Sequence, residues 1–102
     1  MRDHIIVCGM GHVGYQVVRL LIGLDERVTV VTDRCRDDWR SDVESRGVAV
    51  HIGDARSGEL LRKAGLLDAR ALIAVTDRDL INIEVAGEKH LSLVTRPLQE
   101  WS

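Results

Sequence analysis

The chain has 102 residues and a net charge of −2, is 45% hydrophobic and 29% charged, and holds two cysteines and one proline. That length suits one domain with a modest core, the composition excludes a disordered chain, and interleaved acids and bases without a basic patch argue against nucleic acid as a partner. The apolar runs are too short to cross a bilayer, the N-terminus lacks the long apolar stretch of a signal peptide, and Cys8 and Cys35 have no CxxC spacing; a cytoplasmic protein in a reducing compartment is expected.

In chain order, "HIIVCG" (4–9) is a short β-branched run stopped by glycine, which reads as a strand buried on both faces. From residue 13 the period turns helical through Val13, Val17, Leu20, Leu21 and Leu24, ending near Gly23 and Asp25. "RVTVVT" (27–32) is a second strand. The polar segment 36–47, with Trp39 and Val43 four apart, is a surface helix closed by Gly47. "VAVHIG" (48–53) is a third strand. Ser57 caps a helix carrying Leu60, Leu61 and Ala64, with Gly65 as its stop. "ALIAVT" (71–76) is a fourth strand, residues 79–86 read as a fourth, apolar helix, and "LSLVT" (91–95) as a fifth strand. Pro97 marks the end of regular structure. Strands alternating with helices wind right-handed, so the expected fold is α/β: a Rossmann-like, doubly wound, open parallel sheet with helices on both faces.

"VCGMGHVG" (7–14) places Gly9, Gly11 and Gly14 between the first strand and the first helix. There the first glycine permits a tight turn, the second lets a pyrophosphate approach the backbone, and the third lets helix pack on strand. Met10, His12 and Val13 share this loop, and the unpaired N–H groups of the helix start face an anion. The alternative is a glycine turn kept for packing alone. His12 is a candidate phosphate donor.

The same context, with "GDARSGELLRKAGLLDARALIAVTDRDLINIEVA" further on, resembles the TrkA-N family, the nucleotide-binding lobe of RCK domains (regulators of potassium conductance). The resemblance runs from about residue 4 to 86 and implies a domain that binds NAD(H), or ATP or ADP, and controls a membrane potassium channel or transporter subunit, paired as a homodimer or higher oligomer. It also implies sensing instead of chemistry. The segment 87–102 departs from the family pattern, so the chain reads as one domain, 1–102, with a divergent or truncated end.

A dinucleotide site needs an acid near the end of the second strand to accept the ribose hydroxyls. Asp33 lies close to the expected spacing, although the resemblance puts the family's acid at Thr32. Arg34 and Arg36 suit a 2′-phosphate, as in NADP(H), or an ATP phosphate. Asp54 and Ala55, in "GDA", end the third strand, where the resemblance implies contacts with the adenosine half; Asp54 is equally a cap for the next helix. Thr76 and Asp77 end the fourth strand near the distal part of a dinucleotide, or form a helix N-cap. Cys8 reads as a buried, inert thiol, and His4, His51 and His90 show no metal-ligand spacing. There is no nucleophile elbow, HExxH or Lys–Tyr pair, so a regulatory nucleotide-binding domain is expected and not an enzyme. The other reading is the cofactor-binding fragment of an NAD(P)-dependent oxidoreductase.

Overall fold

A computed structural model describes residues 3–75, 80–85 and 92–97. The elements run β1 (Ile5–Cys8), α1 (His12–Gly23), β2 (Val28–Thr32), α2 (Asp37–Ser45), β3 (Ala49–Ile52), α3 (Gly58–Lys63), a single 3-10 turn (Leu66–Asp68), β4 (Ala71–Val75), β5 (Leu80–Val85) and β6 (Ser92–Pro97). The sheet order is β3-β2-β1-β4-β5-β6. The first four strands are parallel, with Ile5 level with Val28 on one side and Ala71 on the other. This is the expected parallel α/β plan.

Side chains alternate across a strand, which gives the central strands two cores. Ile5 and Val7 join Val28 and Val30 against Val13 and Val18 of α1 and Val43 of α2. Ile6, Cys8 and Val31 face the other way, onto Ala64 and Ala69 with Leu60 and Leu61 packed beside them. Every residue of β1 and β2 is buried, which fits runs that are apolar but for Thr29 and Thr32 of β2. Each fully buried valine or isoleucine contributes about 1.5–3 kcal/mol. Helices α1 and α2 are joined by a stack of Tyr15 on Trp39, centroids 4.8 Å apart, and by the Tyr15 hydroxyl donating to Asp42 at 2.6 Å. His4 is fully buried, its Nε2 bonded to the Ala64 carbonyl at 2.8 Å.

One element differs from the sequence reading. Residues 80–85, expected within a helix, form β5, which pairs antiparallel with β4 and with β6. Apolar density suggested a helix, but "LINIEV" alternates Ile81, Ile83 and Val85 with Asn82 and Glu84. A two-residue period rich in β-branched side chains favours a strand. The segment expected as a fourth, apolar helix is therefore a strand paired on both sides. The segment expected at 91–95 is β6, ending at Pro97. Among the described residues no helix is long and apolar enough to cross a membrane.

Candidate functional site

The carboxyl ends of the four parallel strands open onto a crevice of about 670 Å³, lined by Cys8, Gly9, Thr32, Asp33, Asp54, Ala55, Arg56, Ala74 and Val75. A parallel sheet puts it there: the four parallel strands all end on this side, with α1 and α2 packed on one face of the sheet and α3 on the other. Four strand ends thus converge on one open space.

The three loop glycines exist for different reasons. Gly9 sits at φ +101°, and a Cβ there would lie 2.7 Å from the Val75 carbonyl oxygen. A Cβ at Gly14 would overlap the Gly9 carbonyl oxygen, so the helix starts hard against the loop. Gly11 has neither constraint: its φ is −78° and nothing lies within 4 Å of the Cβ position. Packing explains Gly9 and Gly14 and leaves Gly11 unexplained.

Gly11 is also the N-cap of α1, with no side-chain cap bond and no acid in the first turn. The first helical bond runs from the Tyr15 N–H to the Gly11 carbonyl at 2.9 Å. Helix geometry leaves the N–H groups of His12, Val13 and Gly14 without intrahelical acceptors. The macrodipole adds positive potential at the same end.

Met10 and Val13 are buried, at 1% and 6% exposure, so their side chains belong to the core. The Met10 N–H donates inward to the Thr32 hydroxyl at 3.1 Å. That hydroxyl in turn donates to the Arg34 carbonyl at 2.7 Å, and Thr32 is 3% exposed. Asp33 is exposed and lines the crevice; Arg34 is exposed and lines a separate recess of about 290 Å³ with Met10, Gly11, Cys35, Arg36 and Trp39. Arg36 pairs with Asp38 at 2.9 Å and lies over the Trp39 ring. His12 is exposed, its ring 6.2 Å from that of Trp39.

Across the crevice, Asp54 accepts from the Arg56 side chain at 3.1 and 3.0 Å and from its backbone N–H at 2.8 Å. The Arg56 guanidinium and amide hold the Asp54 carboxyl below its ordinary range. Asp54 does not cap α3; the Ser57 hydroxyl does, accepting from the Leu60 N–H at 3.3 Å. Arg56 is the residue that sequence reasoning missed here. The signal was local, an aspartate two residues before an arginine in a turn, where an Asx-type bond is favoured. Thr76, Asp77 and His90 lie outside the described residues. Cys8 is buried and Cys35 half-buried, with burial pushing the Cys35 thiol up. Among the described residues no three His, Cys, Asp or Glu side chains are grouped to hold a metal ion.

The sheet order of the parallel half, the glycine turn from β1 into α1 and the crevice beyond it define a Rossmann-like domain. Residues 5–91 match the TrkA-N domain family. The chain belongs to that family. It is 30% identical over 83 residues to the voltage-gated potassium channel Kch of Escherichia coli (strain K12), covering 79% of this chain and 20% of that protein. It is 33% identical over 93 residues to the Trk system potassium uptake protein TrkA of Haemophilus influenzae, covering 91% and 20%. With TrkA of Vibrio alginolyticus the identity is 34% over 79 residues, covering 78% and 17%. The chain thus spans a fifth or less of the length of these relatives. A solved TrkA-N domain, from the inner membrane protein ybaL of Escherichia coli, superposes with a TM-score of 0.62 at 26% identity, covering 72% of this chain and 53% of that one.

Proposed function

We propose that this is a regulatory domain that binds an adenine nucleotide, NAD(H) ahead of ATP, ADP or NADP(H), and passes the binding to a membrane potassium channel or transporter subunit from the cytoplasmic side. The observation that carries the reading is Gly11. It is the loop position that no contact among the described residues requires to be small, beside an uncapped helix start, and a pyrophosphate needs that approach. In this reading Gly9, Met10, Gly11, His12, Val13 and Gly14 form the phosphate loop: the Gly9 and Met10 N–H groups are bonded to Val31 and Thr32 and shape it, and the N–H groups of His12, Val13 and Gly14 face the anion. Asp33, exposed in the crevice, accepts from the ribose diol. Asp54 and Ala55 form the wall beside the adenosine half, and Arg34 stands near the phosphates.

Relatives named as a potassium channel and potassium uptake proteins support the transport assignment, and the oxidoreductase alternative draws nothing from them. A ligand that stabilises one arrangement of the domain transmits a coupling free energy of about 1–3 kcal/mol to a partner, with no chemistry of its own. Pairing of two copies fits the same role, since the described sheet ends in the edge strands β3 and β6 and closed two-fold association is the commonest solution.

Thermal melts with NADH, NAD, NADPH, ATP and ADP test the reading. At 100 times its dissociation constant a ligand stabilises by about 2.7 kcal/mol. NADH is expected to give the largest shift, and Asp33→Ala to reduce it. No shift with any of the five at millimolar concentration overturns nucleotide sensing.

A further inference from the structure

Among the described residues three loops border the crevice, and one residue touches all of them. Thr32 ends β2. Its hydroxyl accepts from Met10 in the glycine loop and donates to the Arg34 carbonyl in the loop after β2. Its own carbonyl accepts from the Gly53 N–H, where the third loop begins, at 2.8 Å. It lines the crevice but is only 3% exposed, and its hydroxyl is already engaged on both sides. A hydroxyl that both accepts and donates has its geometry set from two sides.

The donor bond curls the chain back on itself directly after β2, with consequences for the next two side chains. Asp33 lines the crevice, whereas Arg34 lines the recess on the Gly11 and Trp39 side. These two residues carry opposite instructions to a nucleotide. A carboxylate accepts two hydrogen bonds from a ribose diol and repels a 2′-phosphate, while a guanidinium binds that phosphate in a forked pair. Arg34 has no ion-pair partner among the described residues, so no salt bridge there fixes it on its side and the backbone course directs it.

We propose that Thr32 is the positioning residue that sets nucleotide selectivity: by bridging the Met10 N–H and the Arg34 carbonyl it holds Asp33 in the crevice and Arg34 out of it. This rests on the reading of the crevice as a nucleotide site and adds which residue decides between a ribose diol and a 2′-phosphate. Thr32 acts through its neighbours, because its hydroxyl is engaged with Met10 and Arg34. The same bridge turns the Met10 N–H inward, so the anion is left to the N–H groups of the α1 start.

The test titrates the full chain and its Thr32→Val and Thr32→Ser variants with NADH and NADPH. Valine keeps the shape and removes both bonds; serine keeps the hydroxyl. The wild type is expected to prefer NADH. In Thr32→Val the NADH affinity is expected to fall about tenfold while NADPH affinity holds or rises, collapsing the preference; Thr32→Ser is expected to restore it. A Thr32→Val protein with an unchanged NADH-to-NADPH ratio, or with equal losses for both, overturns the inference and leaves nucleotide binding standing. So does a Thr32→Ser protein that behaves like the valine variant. A wild type that binds neither nucleotide overturns the underlying reading and the inference with it. Should Thr32→Val not fold, the serine variant decides together with amide exchange in the wild type. The bridge requires a protected Met10 N–H, and exchange there as fast as at an exposed loop amide overturns it.

Discussion

Helices α1 and α3 both start at the rim of the crevice, but they start differently. At α3 the protein satisfies its own helix end: the Ser57 hydroxyl accepts from Leu60, and Glu59 sits in the first turn. At α1 a glycine stands in the cap position, no side chain bonds the free N–H groups, and the first turn has no acid. Helix α2 lies between these cases, uncapped by a side chain but carrying Asp37 and Asp38 in its first turn. A capped helix end needs nothing further, whereas an uncapped one in a crevice keeps its donors and its positive dipole end for an anion. Two neighbouring loops of similar plan thus differ in what they leave open, and the difference points to the β1–α1 turn.

The most damaging way to break the comparison is Gly14→Ala. The added methyl overlaps the Gly9 carbonyl oxygen, and backbone on both sides cannot move aside as a flexible side chain can. A loss of about 3 kcal/mol or more is expected, at the upper end of overpacking effects. Chemical denaturation measures it, and a loss under about 1 kcal/mol would show that helix and loop can separate cheaply.

Gly11→Asp sharpens the comparison by giving α1 the kind of start α3 has. The Gly11 backbone is already extended and its surroundings are open, so the carboxylate is free to cap the helix. Stability is expected to rise by about 0.5–1 kcal/mol through cap and dipole. Nucleotide affinity is expected to fall more than tenfold, over about 1.4 kcal/mol, because the carboxylate occupies the phosphate's donors and repels it. Melts and NADH titrations on one preparation read both signs. A stabilised variant that binds NADH as well as the wild type would mean the ligand does not use the start of α1.

Ser57→Ala removes the cap from α3. Its bond to Leu60 is long at 3.3 Å, which places the expected loss at about 0.5–1 kcal/mol. NADH affinity is expected to stay within twofold. A large loss of binding instead would move the anion site to α3.

Much of this was legible in advance. The apolar runs of β1 to β4 announce parallel strands, buried throughout in β1 and β2 and only in part in β3 and β4, and Ser57 and Gly65, the latter at φ +86°, announce the ends of α3. What escaped was either long-range or a matter of period. The Met10–Thr32 bond spans 22 residues and the Tyr15–Asp42 bond spans 27, separations at which no local pattern signals contact. Residues 80–85 were misread because apolar density outweighed a two-residue alternation in a short segment. Glycine spacing marked the loop without separating its members. Only the surroundings of Gly9, Gly11 and Gly14 show that two serve the fold and the third leaves room.

The smallest expected effect lies on the far wall, at Asp54 and Arg56. Here an exposed ion pair joins a turn bond: the charged groups are 3.0 Å apart, with Asp54 55% and Arg56 91% exposed, and the Arg56 amide also donates to Asp54. Solvent screens such a pair, so Arg56→Ala is expected to leave the melting temperature almost unchanged. Its signature is in titration. The Arg56 side chain, and after it the Arg56 amide, holds the Asp54 carboxyl below its ordinary value. Removing the guanidinium should let that value rise, the amide keeping part of the depression. A folded-state value below the unfolded one means that the contribution is present above the unfolded pKa and is lost as pH falls through the folded one. The wild type and Arg56→Ala should therefore melt alike once Asp54 is protonated in both, with any small wild-type advantage appearing as pH rises through the depressed value. It should shrink with added salt. Carboxyl NMR titration of Asp54 in both proteins checks the cause directly. An Asp54 value unmoved by Arg56→Ala would assign the depression to the turn backbone and not to the ion pair.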